Sequence, residues 1–186
     1  MLTRSLILVA LSLGAVGCTC QQKMTFRKAW RGHVMKAYNW VLADNEASKY
    51  RDREAAAREA LRQYRLETSP YVVANRLRAE GFSWHAESLD FTSYPWVTIA
   101  RKRGDCDDFM LLWEATLKYK DGRTRRVTVT SKDGGGHAML LWYEGEPPLH
   151  LWLLSNLRVL ARGSPGDEDD LVRRFYGDRT DCWIDY

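Results

Sequence analysis

One cysteine and one histidine stand in sequence contexts that suit nucleophilic chemistry. Cys106 lies in the acidic segment Gly-Asp-Cys-Asp-Asp-Phe at 104–109, where Asp105 is a good helix N-cap before apolar residues at helical spacing. His137 follows downstream in Gly-Gly-Gly-His-Ala, at the start of a strand-like segment. A thiol with a neighbouring imidazole can act as nucleophile and general base. The sequence therefore predicts these roles for Cys106 and His137.

Two effects act in opposite directions on the pKa of the Cys106 thiol. The N-terminal end of a helix stabilises a thiolate and can lower the pKa from ~8.5 toward ~3.5–7.5. The carboxylates of Asp105, Asp107 and Asp108 repel a thiolate and raise its pKa. We expect a cation to offset that repulsion, either an imidazolium at His137 or a bound ion.

The elements that must position these residues begin with helices in the N-terminal half. Apolar residues between 26 and 41 fall on one helical face, and residues 52–66 are rich in good helix formers. Ser69 and Pro70 predict the start of a third helix that ends at Gly81. The cysteine is expected to open a further helix, over residues 105–118.

Strands are predicted after the cysteine helix, at 126–131, 137–143 and 149–154, with hairpin-like connections between them. Helices followed by consecutive strands indicate an α+β domain with an antiparallel sheet. The acidic run at 166–170 is expected to be the solvated start of a C-terminal helix.

The second predicted hairpin provides a partner for the histidine. If its loop is centred near residue 146, antiparallel pairing sets His137 opposite Ser155 or Asn156. Either side chain can hydrogen-bond to an imidazole and fix its tautomer and ring direction. Both are therefore candidate orienting residues.

The first residues of the chain have the pattern of an export signal. Residues 1–17 contain one early arginine and an apolar stretch, and small residues precede Cys18 as in a lipoprotein signal peptide. We predict lipidation of Cys18, anchoring to a membrane, and exposure to the periplasm or cell exterior. An ordinary cleaved signal and an uncleaved anchor are the alternatives. Residues 18–186 are then expected to form a single domain.

Charge and cysteine content restrict the remaining possibilities. The formal net charge is +4 and the basic clusters are short, so nucleic-acid binding has no specific support. Cys20 and Cys182 could pair in an oxidising compartment or remain two free thiols. The sequence has no ligand pattern typical of structural zinc.

Three segments together resemble the bacterial transglutaminase-like cysteine proteinases. They are Gly-Asp-Cys-Asp-Asp-Phe at 104–109, Gly-His-Ala-Met-Leu at 136–140 and Leu-Ser-Asn-Leu at 154–157. Trp96 also looks like a tryptophan that the family tends to carry, and the resemblance covers about residues 94–160. It implies a papain-like or transglutaminase core, with a Cys-His-Asp triad that cleaves peptide or isopeptide bonds.

The resemblance also implies roles for individual positions. Ser155 stands where the family usually has its aspartate, which leaves Asn156 or Ser155 to orient the histidine. The backbone N–H of Cys106, together with Trp96, would hold the oxyanion. Some periplasmic members bind calcium through acids flanking the cysteine, and Asp105 and Asp107 occupy those positions. The chemistry itself requires no cofactor.

Two functional hypotheses result. The first is a membrane-tethered thiol hydrolase that acts on a protein or peptide through a thioester on Cys106. A cell-wall amidase would share this chemistry and differ in its substrate. The second is a catalytically inactive lipoprotein that keeps the fold as a binding or scaffold module, a hypothesis motivated by Ser155.

Overall fold

A computed structural model describes residues 38–86, 92–118, 120–131, 136–176 and 180–185 of the 186-residue chain. The chain divides into two compact units, residues 1–41 and 42–186. In the first unit only residues 38–41 are described, and they are helical. Across these described ranges, no helix combines the length and apolar character needed to span a bilayer.

Several predicted features lie outside the described residues. The signal peptide, its boundary after residue 17, and Cys18 all precede the described ranges. The same holds for Cys20 and for the side chain of Cys182, so their pairing stays a prediction. Only the last residues of the helix expected between 26 and 41 are described.

The described residues of the second unit contain six helical segments, which we label in chain order. The first, α1, covers residues 42–48, and a 3₁₀ turn at Arg51–Arg53 precedes the next helix. The remaining helices are α2 (Glu54–Leu66), α3 (Pro70–Ala79), α4 (Pro95–Arg101), α5 (Cys106–Leu117) and α6 (Glu168–Tyr176).

The predicted helix limits are confirmed within a few residues, because local signals set them. Ser69 caps α3 by accepting from the Val72 backbone N–H at 3.5 Å, and Pro70 occupies the first helical position. Gly81 then adopts a positive φ of 85°, which ends the helical path. The acidic run does open α6, with three acidic residues in its first turn.

The strands form two sheets in the described residues. A short parallel pair joins β1 (Ser83–Trp84) to β2 (Arg103–Gly104). The main sheet consists of β3 (Gly122–Ser131), β4 (Gly136–Glu144), β5 (His150–Ser155), β6 (Arg158–Gly163) and β7 (Thr180–Asp185). Its five strands are antiparallel and lie in the order β6-β5-β4-β3-β7. Helices and an antiparallel sheet in one unit confirm the α+β class.

Both faces of the main sheet are covered, and β4 shows the division residue by residue. Ala138, Leu140 and Trp142 pack into a core shared with helices α2 to α5. Met139 and Leu141 alternate with them and pack on the opposite face against α6. A central strand buried on both faces becomes a continuous apolar run, as this one is in the sequence. Helix α5 packs on the face of the sheet that carries Ala138, Leu140 and Trp142.

The observed sheet differs from the predicted one in two respects. Leu140 pairs with Leu154 rather than with residue 152 or 153, because the β4–β5 hairpin is centred near Pro147 instead of residue 146. The strands β6 and β7 are not predicted at all. Neither Arg158–Gly163 nor Thr180–Asp185 shows the clear period-two alternation that identifies β3.

Candidate active site

Cys106 is the first residue of α5, and two aspartates fix the turn that carries it. The Asp105 side chain accepts hydrogen bonds from the backbone N–H groups of Asp107 and Asp108, at 3.1 and 3.3 Å. In return, the Asp108 side chain accepts from the Asp105 backbone N–H at 3.3 Å. This reciprocal capping box satisfies N–H groups that a helix start would otherwise leave unpaired. The position of Cys106 is therefore set by its acidic neighbours.

Asp108 also anchors the helix start in the interior. Its side chain is fully buried, pairs with the guanidinium of Arg101, and accepts from the Ser93 backbone N–H at 2.7 Å. A Cβ atom on Gly104 would lie 2.7 Å from the Cβ of Asp108, so glycine is required there. Burial raises the pKa of Asp108, and the Arg101 guanidinium opposes that rise. The structure thus explains the presence of Gly104 and Asp108 in the acidic motif.

The Cys106 thiol is partly buried against strand β4. The backbone N–H of Ala138, the residue after His137, lies near enough to the sulfur to lower the pKa of the thiol and so favours its ionised form. Strand β4 pairs with β5 only from Leu140 onward, so Ala138 lies beyond the end of that pairing. The carboxylate of Asp107 lies 3.9 Å from Sγ. The structure therefore brings the thiol to the segment that carries the predicted base.

Of the opposing effects expected on the pKa of Cys106, those that raise it are the larger. Burial, with the nearby carboxylates of Asp107 and Asp105, raises the pKa of Cys106 to about 11. The backbone N–H groups of Ala138 and of Cys106 itself act in the opposite direction without overcoming it. Desolvation of the thiolate exceeds the stabilisation that a helix start provides. At neutral pH this cysteine is a thiol.

His137 meets the first of its two predicted partners. Its Nε2 lies 2.6 Å from Oγ of Ser155, although the register of the hairpin differs from the predicted one. The β4–β5 pairing ends at Leu140 and Leu154, so the two polar side chains meet just past the paired region. Burial lowers the pKa of His137, which keeps the ring neutral at pH 7. The predicted contact with Ser155 is present.

The second predicted partner, Asn156, does not take that position. It is the first residue of the β5–β6 turn and has a left-handed φ of 48°. Its Oδ1 is buried and makes no hydrogen bond within the described residues. Its backbone carbonyl instead accepts from Nε1 of Trp113 at 2.7 Å. Because the chain turns at Asn156, Ser155 at the strand end is the residue that reaches the imidazole.

Trp96 lies in α4 and is buried. The guanidinium of Arg58 stacks over its ring, with the central carbon 5.6 Å from the ring centroid. The ring lines a cavity between α1, α2, α4 and α5, and neither Cys106 nor His137 belongs to the described lining of that cavity. A role for Trp96 in holding an oxyanion stays a prediction.

The acidic residues flanking the cysteine were the candidates for calcium. Asp105 is engaged as the helix cap, and Asp107 lies beside the sulfur. Within the described ranges, no group of three or more His, Cys, Asp or Glu side chains is arranged to hold a metal ion. A calcium site needs ~6–8 oxygen ligands, which these two carboxylates do not supply. Calcium binding at Asp105 and Asp107 therefore stays a prediction without structural support.

The sequence does not predict the contacts that join the site residues to the neighbouring turn and strand. Trp113 lies seven residues after Cys106 on α5, and its hydrogen bond to Asn156 ties the helix of the thiol to the turn beside Ser155. Nothing in the sequence pairs these positions, which are 43 residues apart. The sequence also does not indicate the role of the Ala138 backbone N–H, because nearly every residue type has this donor.

No family model matches the chain, and no curated protein matches it either. A function for this protein is therefore inferred from the geometry of the site.

Proposed function

We propose that this protein is a thiol hydrolase that cleaves peptide or isopeptide bonds through a thioester on Cys106. One observation carries the proposal. The thiol at the start of α5 lies near the backbone N–H of Ala138, the residue that follows His137, and the His137 Nε2 lies 2.6 Å from Ser155 Oγ. A nucleophile beside a base, with the base held by a third group, is the arrangement that such chemistry needs.

The proposed reaction uses the two ring nitrogens of His137 differently. In the neutral tautomer that donates from Nε2–H to Ser155 Oγ, Nδ1 carries the lone pair that can accept a proton. Nδ1 takes the thiol proton as sulfur attacks the carbonyl carbon, and the amine then leaves with that proton. Water hydrolyses the resulting thioester, giving a carboxylic acid and returning the thiol. The backbone N–H of Cys106 is the proposed oxyanion donor.

The electrostatics favour general-base catalysis over a preformed ion pair. The pKa of Cys106 is raised and that of His137 is lowered, so both groups are neutral in the resting site. Ser155 carries no charge, whereas an aspartate in its place would stabilise the imidazolium formed during attack. The proton therefore moves during the attack rather than before it.

Further parts of this proposal concern fold and location. The cysteine helix packed on an antiparallel sheet supports a papain-like or transglutaminase core. Lipidation at Cys18 would hold the protein at a membrane, facing the periplasm or cell exterior. Metabolic labelling with a radioactive fatty acid should mark the chain and be lost in Cys18→Ala.

The hydrolase proposal is tested by trapping the enzyme with an electrophilic peptide. A mass spectrum should locate the adduct on Cys106, and Cys106→Ala should abolish it, while Cys182→Ala should label like the parent chain. An adduct that persists in Cys106→Ala would show that another residue is reactive. A substrate panel of peptidoglycan and folded proteins would then separate amidase from peptidase action.

A second candidate function is a catalytically inactive binding or scaffold module. The raised pKa of Cys106 and the neutral orienting residue favour it. Substitutions at Ser155 discriminate between the two. For an enzyme, Ser155→Asp should accelerate adduct formation on Cys106 and Ser155→Ala should slow it, because each changes support of the imidazolium. For an inactive module, both variants should label at the rate of the parent chain.

A further inference from the structure

The cavity beside Trp96 lies at the other end of α5 from the cysteine. It has a volume of about 470 Å³ and is bounded by α1, α2, α4 and α5. Ala115 forms part of its wall, and at 1.5 Å per helical residue it is ~14 Å along the axis from Cys106. The cavity is therefore separate from the proposed active site, and ligand binding in it is independent of the proposed hydrolase activity.

Cationic side chains dominate the rim of this cavity. Among the described residues, its lining contains Arg51, Arg58, Arg65 and Lys118 and one carboxylate, that of Asp44. Arg58 and Arg65 lie seven residues apart on one face of α2, since two helical turns take about seven residues, and Arg51 lies in the 3₁₀ turn just before that helix. Arg58 and Arg51 also pair with a carboxylate just outside the lining, that of Glu54. Even with that residue included, four cations face two carboxylates.

Apolar residues also line the cavity, and one of them contacts a cation of the lining. Trp96 and Leu61 are buried beneath the rim. The Arg58 guanidinium stacks on the Trp96 ring and donates from Nε to Glu54 at 2.8 Å. A guanidinium carries five N–H donors, so this fixed geometry leaves it able to bind a further oxygen acceptor. Arg65 is held in a similar way, by donating to the Ala115 carbonyl at 2.9 Å.

We propose that this cavity binds a small organic anion, with a carboxylate or phosphate group on Arg58 and an apolar portion over Trp96 and Leu61. The volume lies within the ~300–1,000 Å³ typical of small-molecule sites. Planar guanidinium groups match both carboxylate and phosphate oxygens.

Binding can be measured by calorimetry with a set of matched probes on the full chain. The probes are benzoate, phenyl phosphate, inorganic phosphate and neutral benzyl alcohol. A ring with an anionic group should bind with Kd near ~1 mM, a reasonable limit for about ten non-hydrogen atoms. Inorganic phosphate lacks the ring and benzyl alcohol lacks the anionic group, so each should bind at least ~10-fold more weakly. Comparing benzoate with phenyl phosphate distinguishes the two anionic groups.

Arg58→Gln should weaken binding of the better probe by ~10-fold, because it removes a charge-assisted hydrogen bond. The matched control is Arg62→Gln on the same helix, where Arg62 donates to Glu59 at 2.7 Å and lies outside the cavity lining. Arg51→Gln serves as the second variant if Arg58→Gln does not fold. The proposal is overturned if neither ring-bearing anion binds, if benzyl alcohol binds as well as they do, or if Arg62→Gln weakens binding equally.

Discussion

The two ends of helix α5 differ in charge, depth and chemistry. At its start, the Cys106 thiol is partly buried near two carboxylates and the β4 backbone, and its pKa is raised. Near its end, Ala115 and Lys118 border an open cavity with a cationic rim. One end carries the proposed nucleophile and the other carries the cations of the proposed binding site. A single helix thus separates a candidate reaction site from a candidate recognition site.

The comparison shows which forces set each end. At the start, burial controls the chemistry, because desolvation raises the pKa of Cys106 despite the helix dipole. Around the cavity, Arg51 and Arg58 keep more than half of their side chains exposed, so solvent screens their charges. Substitutions at the buried end should therefore have large effects on stability, and those at the exposed end should change binding with little effect on folding.

Asp108→Asn should give the largest loss of stability. It leaves the buried guanidinium of Arg101 without its main partner, and breaking a buried pair in this way costs ~3–5 kcal/mol. We expect ~3 kcal/mol, the lower end, because Glu46 remains 3.8 Å from Arg101. Urea unfolding measures this loss of unfolding free energy. The control is Asp107→Asn, a substitution at a partly buried residue. Equal unfolding free energies in the two variants would contradict the anchoring role of Asp108.

Trp113→Phe should have the next largest effect. It removes the donor to the Asn156 carbonyl, and an unpaired buried acceptor costs ~1–3 kcal/mol. Trp142→Phe is a matched control, because the Nε1 of Trp142 is also buried but makes no hydrogen bond within the described residues. Thermal unfolding should show the greater loss in Trp113→Phe. If Trp142→Phe is equally destabilised, the link between α5 and the turn carries no stability of its own.

The carboxylates beside the sulfur should select among thiol reagents by charge. A cationic methanethiosulfonate should modify Cys106 several-fold faster than an anionic one, since Asp107 lies 3.9 Å from Sγ and an exposed unit charge at that distance contributes ~1 kcal/mol. Asp107→Asn should reduce the ratio of the two rates. High salt should reduce it as well. A ratio that is the same in both proteins would show that Asp107 does not control access of charged reagents.

The parts predicted from sequence are those with local signals. Asp105 as the cap of α5, Ser69 with Pro70 at α3, and the alternation in β3 each depend on neighbours in the chain. The contact between His137 and Ser155 followed from the position of a hairpin, even with an error in its centre.

The parts that were not predicted depend on distant residues. The pKa of Cys106 is raised mainly by burial, which no local sequence pattern records. The pairing of Arg101 with Asp108 and the stacking of Arg58 on Trp96 likewise depend on how the helices pack. Strand β6 lacked apolar alternation because its burial is only partial.

The most direct test of the central claim is the rate of Cys106 alkylation between pH 6 and pH 11, mapped by mass spectrometry. The thiolate reacts without the help of a base, so the rate should rise with pH toward the raised pKa of about 11. At pH 7, where the thiol is protonated, His137→Gln should slow the reaction by at least ~10-fold, and at pH 11 it should have no effect. Equal rates at pH 7 in the parent chain and in His137→Gln would contradict the pairing of this thiol with this base.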